Sequence, residues 1–164
     1  MAAHIAIRPA VAADVPLILE LIRALGDYER LAHEVVATET DLHAQLFGPR
    51  PAAEVLIGEV DGLPAGFALF FHNFSTFLGK PGLYLEDVFV RPEHRGVGLG
   101  KALMVELARI AVERDCGRFE WSVLDWNKTA IGFYESQGAR LNTDWLPVRM
   151  SAEAIHKLAQ KAKR

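Results

Sequence analysis

Arg95-Gly96-Val97-Gly98-Leu99-Gly100-Lys101 separates two segments of different periodicity. Before it, Leu83 to Arg91 is dense in Leu, Val, Phe and Tyr and is broken by Pro92, the pattern of a strand. After it, Leu103, Leu107 and Ile110 fall on one side of a helix, with Met104, Ala108 and Ala111 beside them. A strand that passes through glycines into an amphipathic helix commits the chain to helices packed on a sheet. Glycines at such a turn let the backbone come close to a ligand, and the N–H groups of the first helical turn stay unpaired. Together with the helix dipole they favour an anion such as pyrophosphate, and Arg95 and Lys101 add positive charge. The same glycines also fit a plain strand-to-helix turn without a ligand. A dinucleotide turn is a third reading, because Asp125 ends the next strand at a suitable distance. Against it, Arg91-Pro92-Glu93-His94 intervene before Arg95, and the segment follows a mixed set of elements. A phosphate-binding P-loop does not fit, since its spacing is absent and Ala102 stands where a hydroxyl residue is needed.

The rest of the chain supplies the neighbours of this unit. His4 to Arg8 reads as a first strand stopped at Pro9. Asp14 offers an N-cap, Pro16 sits in the first turn, and Ile18, Leu21, Ile22 and Leu25 follow at helical spacing. Thr38 with Asp41 forms a capping box for a second helix that Gly48 stops. Glu54 to Val60 and Ala65 to Phe71 flank Asp61-Gly62, a hairpin turn signal. Phe119 to Leu124 reads as a strand and Lys128 to Gln137 as a short helix ending at Gly138. Trp145 to Met150 reads as a last strand, near an edge because Pro147 lacks a donor, and Ile155, Leu158 and Ala162 mark a final helix. The order β-α-α-β-β-β-α-β-α-β-α, with at least one antiparallel hairpin, predicts an α/β domain with a mixed sheet.

Composition narrows the function. The 164 residues suit one domain, 1–164, which buries about 70% of its unfolded surface. Eighteen basic against 21 acidic residues give a net charge of −3, so nucleic acid is not the expected partner. The single cysteine, Cys116, excludes a disulfide framework, and reads as a packed thiol. No apolar run approaches about 18 residues and the N-terminus lacks a signal peptide's apolar region, so a soluble intracellular protein is expected. The six histidines show no ligand spacing, so no metal is expected. Trp126 and Trp145 read as packing residues, and Lys157, Lys161, Lys163 and Arg164 as a solvated helix face.

Arg95-x-x-Gly98-x-Gly100 resembles the Q/R-x-x-G-x-G/A coenzyme A motif of the GNAT superfamily of N-acetyltransferases. Asn127-x-x-Ala130-x-x-Phe133-Tyr134-x-x-x-Gly138-Ala139 resembles that superfamily's second motif. Ile7-Arg8-Pro9-Ala10, Tyr28-Glu29, Leu83-Tyr84-Leu85-Glu86-Asp87 and Leu124-Asp125-Trp126-Asn127 look like the spermidine/spermine (diamine) acetyltransferases and their thialysine N-acetyltransferase relatives. The resemblance runs from about residue 5 to 160. It implies a GNAT fold, with a mixed, mostly antiparallel central sheet flanked by helices. It implies acetyl transfer from acetyl-CoA to a primary amine of a small molecule, by direct attack and without a metal, in a cytoplasmic homodimer. A protein or peptide N-acetyltransferase and a non-catalytic acyl-CoA-binding module are the alternatives. The chain departs from the polyamine pattern at Phe74-Ser75-Thr76-Phe77, where the diamine enzymes carry Asp-Pro-Trp, and at Thr143, where an acidic residue is expected. Ser75-Thr76 and Leu124-Asp125-Trp126 look more like the thialysine branch, which favours a shorter, amino-acid-like amine.

An alkylamine is protonated at pH 7, so its acetylation needs a proton acceptor, an oxyanion donor and an acid for the leaving thiolate. Strict alternation puts Glu86 on the face of Tyr84, Val88 and Val90, and Asp87 with Leu85 and Phe89. By resemblance Glu86 is the candidate base. The plainer reading pairs Glu86 and Asp87 with Arg or Lys to stabilise the sheet. Tyr134 is the candidate acid by resemblance, against the plainer reading of a core tyrosine with Ile131 one turn before it. The resemblance also assigns Val88, Phe89 and Val90 to the pantetheine arm, with the Val88 N–H on the thioester. It gives the pyrophosphate to Arg95, Gly96, Val97, Gly98, Leu99, Gly100 and Lys101, and the other side of the coenzyme to Asn127, Lys128, Thr129 and Ala130. Tyr28, Glu29, Glu86, Asp87, Glu120, Trp121 and Ser122 form the expected amine pocket.

Overall fold

The computed structural model describes residues 1–163, so Arg164 of the basic C-terminal cluster lies outside the described residues. The chain divides into two compact units, Met1–Ser122 and Val123–Arg164. In the first, β1 (Ile5–Pro9), α1 (Val15–Tyr28), α2 (Glu39–Phe47), β2 (Glu54–Val60), β3 (Leu63–Ser75), β4 (Lys80–Val90), α3 (Leu99–Glu113) and β5 (Arg118–Trp121) follow in order. The sheet runs β1-β2-β3-β4-β5, antiparallel throughout except for the parallel pair β4 and β5. The mixed, mostly antiparallel sheet is the expected one. Asp61 and Gly62 make the β2–β3 turn with φ of 51° and 80°, the left-handed pair that a tight hairpin requires. Thr38 caps α2, its Oγ1 accepting the Asp41 N–H at 3.2 Å while Asp41 accepts the Thr38 N–H at 2.9 Å.

The two faces of the sheet are covered differently. Val15, Ile18, Leu21 and Leu25 of α1 and Leu42 and Leu46 of α2 pack on Val55, Ile57, Phe67 and Phe89. On the other face α3 buries Leu99, Leu103 and Leu107. Leu99 comes down on glycine: a Cβ at Gly58 would lie 2.7 Å from Leu99 Cδ1, and one at Gly66 3.3 Å from Leu99 Cδ2. The missing side chains of β2 and β3 therefore form the socket that holds the start of α3 against the sheet.

The strict alternation expected along β4 does not hold. Leu69 pairs with Asp87 but the next residue, Phe70, pairs with Leu85, so Glu86 is an extra residue in a β-bulge. One inserted residue reverses every face beyond it. Leu83 and Leu85 stay on the α3 side, whereas Asp87 and Phe89 turn to the α1 side. Asp87 thus shares its face with Tyr84 rather than with Leu85.

In the second unit Asn127 caps α4 (Lys128–Ser136), its Oδ1 accepting the Ala130 N–H at 3.2 Å. Ser151 caps α5 (Ala152–Ala159), accepting the Ala154 N–H at 3.2 Å. The strand expected over 145–150 is absent. None of the described residues takes up its backbone groups, Pro147 has no N–H to offer, and Trp145, Leu146 and Val148 remain 77%, 82% and 92% exposed. The β5 strand ends at Trp121, three residues before the expected Leu124.

Candidate active site

β4 is paired on both edges only in its first half. β5 runs beside it from Gly82 to Leu85 and no further. Beyond that point the edge of β4 facing away from β3 has no strand partner among the described residues. The direction of its backbone groups follows from one hydrogen bond. The Arg91 N–H donates to the Ala65 carbonyl at 2.8 Å, so the alternating antiparallel ladder turns Phe89 toward β3 and Val88 and Val90 outward. The Val90 carbonyl is indeed engaged from that side, by Arg95 Nε at 3.0 Å. The free edge therefore offers the outward groups of Val88 and the Val90 N–H without a strand partner, ending where the glycine turn begins.

The turn itself has the shape of an anion cradle. Gly96 and Gly98 adopt φ of 82° and 96°, conformations in which a side chain is strained, and space around Gly96 is open. Gly98 caps α3, leaving the N–H groups of Leu99, Gly100 and Lys101 without intrahelical acceptors. Lys101 and Val97 are exposed, and Leu99 is the buried anchor.

On the α1 side of β4 the bulge gathers acid. Asp87 is half-buried, and its carboxyl is pushed up to about 6 by burial first, then by the charges of Glu86 and Glu29. Burial also raises Glu29, the residue that ends α1. Glu86 itself is exposed. No hydrogen bond or ion pair reaches any of these three carboxylates from the described residues. Beside them the Tyr28 and Phe89 rings lie 6.3 Å apart, and the Arg95 guanidinium stands 4.5 Å over Tyr28 and 5.7 Å from Phe89. Arg95, expected on the coenzyme, rests its guanidinium over these rings at the start of the glycine turn.

Other expected pocket residues are divided by the pleat. Tyr84 and Ser122 join through their hydroxyls at 3.0 Å. Glu120, paired with Tyr84 across the sheet, is held by Arg118 at 3.3 Å and by the Asn73 amide at 3.5 Å. Trp121 pairs with Leu85 and so lies on the opposite face, its ring 4.9 Å from Phe119. In the second unit Tyr134 lies on α4, half-buried, with its ring 5.6 Å from that of Phe133. Asn127 spends its side chain on the cap of α4, while Lys128 and Thr129 are exposed and Ala130 is half-buried.

A separate cavity of about 330 Å³ lies at the ends of β1 and β2, floored by Leu46, Phe47, Leu56 and Phe70. Its charged rim is internally neutralised, with Arg114 on Glu54 at 2.6 Å and Arg109 on Glu106 at 2.7 Å. The uncompensated acid sits at the bulge instead.

A half-open strand edge, a glycine turn and a helix N-terminus in sequence are the parts that coenzyme-dependent acyl transfer needs. A sequence model of the acetyltransferase (GNAT) family matches residues 20–139. The chain belongs to the GNAT acetyltransferase family. A thialysine N-epsilon-acetyltransferase of Sus scrofa is 36% identical over 170 residues, covering 97% of this chain and 99% of the relative. An L-ornithine N5-acetyltransferase of Arabidopsis thaliana is 35% identical, over 91% of this chain and 85% of the relative. An integron cassette protein from the mobile metagenome of V. cholerae superposes with a TM-score of 0.77 at 28% identity, covering 96% and 98% of the two chains. GNAT acetyltransferases use acetyl-CoA as cosubstrate, and this GNAT enzyme has the backbone for it: the glycine turn leaves room that a Cβ would fill, and the β4 edge leaves amides unpaired. Among the described residues no group of three or more His, Cys, Asp and Glu is arranged to hold a metal ion, and no helix is long and apolar enough to cross a membrane.

Proposed function

We propose that this GNAT acetyltransferase moves the acetyl group of acetyl-CoA to a terminal primary amine of a small, amino-acid-like acceptor of the thialysine, lysine or ornithine type. The observation that carries the reading is the cluster of Glu29, Glu86 and Asp87 beside the open edge of β4, with no cation paired to it among the described residues. A narrow group of uncompensated carboxylates attracts a cationic amine. The relatives that act on thialysine and ornithine support the choice of acceptor class.

Acetyl-CoA supplies an activated thioester carbon for the amine nitrogen to attack. The outward backbone groups of Val88 and the Val90 N–H hold the pantetheine arm, with Phe89 between them bonded toward β3 rather than to the coenzyme, and the Val88 N–H donates to the carbonyl oxygen as charge develops there. The turn from Gly96 to Lys101 holds the pyrophosphate, and residues 127–130 the opposite side of the coenzyme. The Glu86–Asp87 pair takes the proton that the amine must lose. Asp87, whose carboxyl titrates at about 6, is the better matched acceptor at neutral pH. Tyr134 gives its phenolic proton to the departing sulfur. A cytoplasmic homodimer completes the reading; the exposed Trp145, Leu146 and Val148 are the apolar surface that supports it, and a monomer mass by light scattering at micromolar concentration contradicts it.

Thiol release from acetyl-CoA, followed with thialysine, lysine, ornithine, putrescine, spermidine, spermine and peptide N-termini, tests the reaction. The amino-acid amines are expected to be turned over fastest. Silence across the panel while acetyl-CoA still binds overturns the reading. Tyr134→Phe is expected to lower kcat about a hundredfold with acetyl-CoA affinity within about twofold of wild type. A near-normal kcat removes Tyr134 from the chemistry.

A further inference from the structure

The Arg95 side chain is fixed by three contacts within the first unit: Nε on the Val90 carbonyl at 3.0 Å, and the guanidinium over Tyr28 at 4.5 Å and near Phe89 at 5.7 Å. These contacts use the Nε–H and the flat surface of an otherwise exposed group. No hydrogen bond to its terminal nitrogens is formed among the described residues. A planar fork held in this way is preorganised for a carboxylate, which it meets with two parallel N–H donors. The fork is also kept off the nearby acids. No ion pair joins Arg95 to Glu29, Glu86 or Asp87 among the described residues.

Positive and negative groups are therefore set side by side without neutralising each other. Tyr28, under the guanidinium, is followed directly by Glu29. Phe89, near the guanidinium, lies two residues beyond Asp87 on the same face of β4, a step of about 7 Å along a strand. A four-carbon amino-acid side chain bridges a comparable distance between its terminal amine and its α-carboxylate.

We infer that Arg95 is a specificity-determining residue, whose aromatic-clamped guanidinium binds the α-carboxylate of the acceptor while the Glu29, Glu86 and Asp87 cluster takes its terminal amine. This rests on the acetyltransferase reading above. A polyamine has no carboxylate and leaves the fork unpaired, so Arg95 favours amino-acid amines over diamines of the same length.

Matched acceptors test it: ornithine against putrescine, and lysine against cadaverine. In each pair only the carboxylate differs. Arg95→Gln is expected to lower the ratio of kcat/KM for ornithine over putrescine about tenfold, mainly through the KM of ornithine. Arg95→Lys keeps the charge but not the fork, and is expected to fall between the two. Calorimetric binding of acetyl-CoA to Arg95→Gln, measured in parallel, reads separately any share that Arg95 takes in holding the coenzyme. An unchanged acceptor ratio together with weakened acetyl-CoA binding overturns the inference and makes Arg95 a ligand of the coenzyme phosphates. An unchanged ratio with unchanged binding overturns it as well. Wild type inactive on all four acceptors overturns the acetyltransferase reading itself, a result distinct from an active enzyme whose preference ignores Arg95.

Discussion

The two halves of β4 show how one strand can serve two purposes. From Lys80 to Leu85 it is an ordinary central strand, with β3 on one edge and β5 on the other, and with Leu83 and Leu85 at 0% and 1% exposure. From Glu86 to Val90 it has lost one neighbour and gained an extra residue, and its side chains include two carboxylates that pair with no cation among the described residues. The first half is stable because its backbone is paired on both edges from Gly82 to Leu85. The second can act on a ligand because some of its groups are not. The bulge is the joint between them. It ends the pairing with β5 and turns Asp87 toward α1 in the same step.

Deleting Glu86 is the severest test of this division. It leaves Leu85 opposite Phe70 and Asp87 opposite Leu69, so the ladder becomes regular and every side chain keeps its face. The folded protein is expected to survive, with its thermal midpoint close to wild type, while activity falls on the order of a thousandfold as the open edge and its carboxylates are displaced. An active deletion variant would show that the bulge is incidental. Leu83→Ala probes the regular half. It is expected to cost about 3 kcal/mol in denaturant unfolding and to leave the pH dependence of the surviving activity unchanged; a moved pH profile would mean that the halves are coupled.

Asp87→Asn is expected to lower kcat/KM about a hundredfold and to erase the acid limb expected of wild type near pH 6. The stability effect has the opposite sign. The folded pKa of Asp87 lies above its unfolded value, so wild-type stability falls as pH rises from about 4 to about 6 and is level above that. Asn removes this fall. The variant should be about 1 to 2 kcal/mol more stable than wild type at pH 7.5 and indistinguishable from it at pH 3.5. Equal stability at both pH values would mean that Asp87 is not desolvated. The smallest effect belongs to Glu86→Gln, with kcat reduced about fivefold and the acid limb moved to lower pH, because Asp87 loses a negative neighbour. Unchanged kinetics would take Glu86 out of the mechanism.

The division of β4 also marks where the sequence stops being readable. Local chemistry identified the Asp61-Gly62 turn, the Thr38 capping box and the strand–glycine–helix unit, because each depends on a few adjacent residues. The bulge depends on β3, which decides the register from a distance. Its one trace in the sequence is Asp87 itself, a charge standing in phase with Leu83, Leu85 and Phe89, where a regular strand would have buried it among them. The contact of Arg95 with Tyr28 was hidden for a similar reason, because the two residues are remote in sequence. The expected strand over 145–150 failed because alternation gives only half of what a strand needs, and among the described residues no neighbour provides the other half.

The socket beneath Leu99 has a consequence for anyone altering this enzyme. At Gly58 a single hydrogen atom sets the height at which α3 rides on the sheet, and with it the position of the glycine turn at its start, whereas at Gly66 an added methyl would first meet the Phe89 carbonyl of β4. Neither residue lies in the turn, yet a methyl group at Gly58 would act as a shim under it, and one at Gly66 would push on the strand that leads into it. Mutant libraries confined to the visible active site would leave this adjustment untouched, and random ones would meet it as unexplained losses in the middle of two strands.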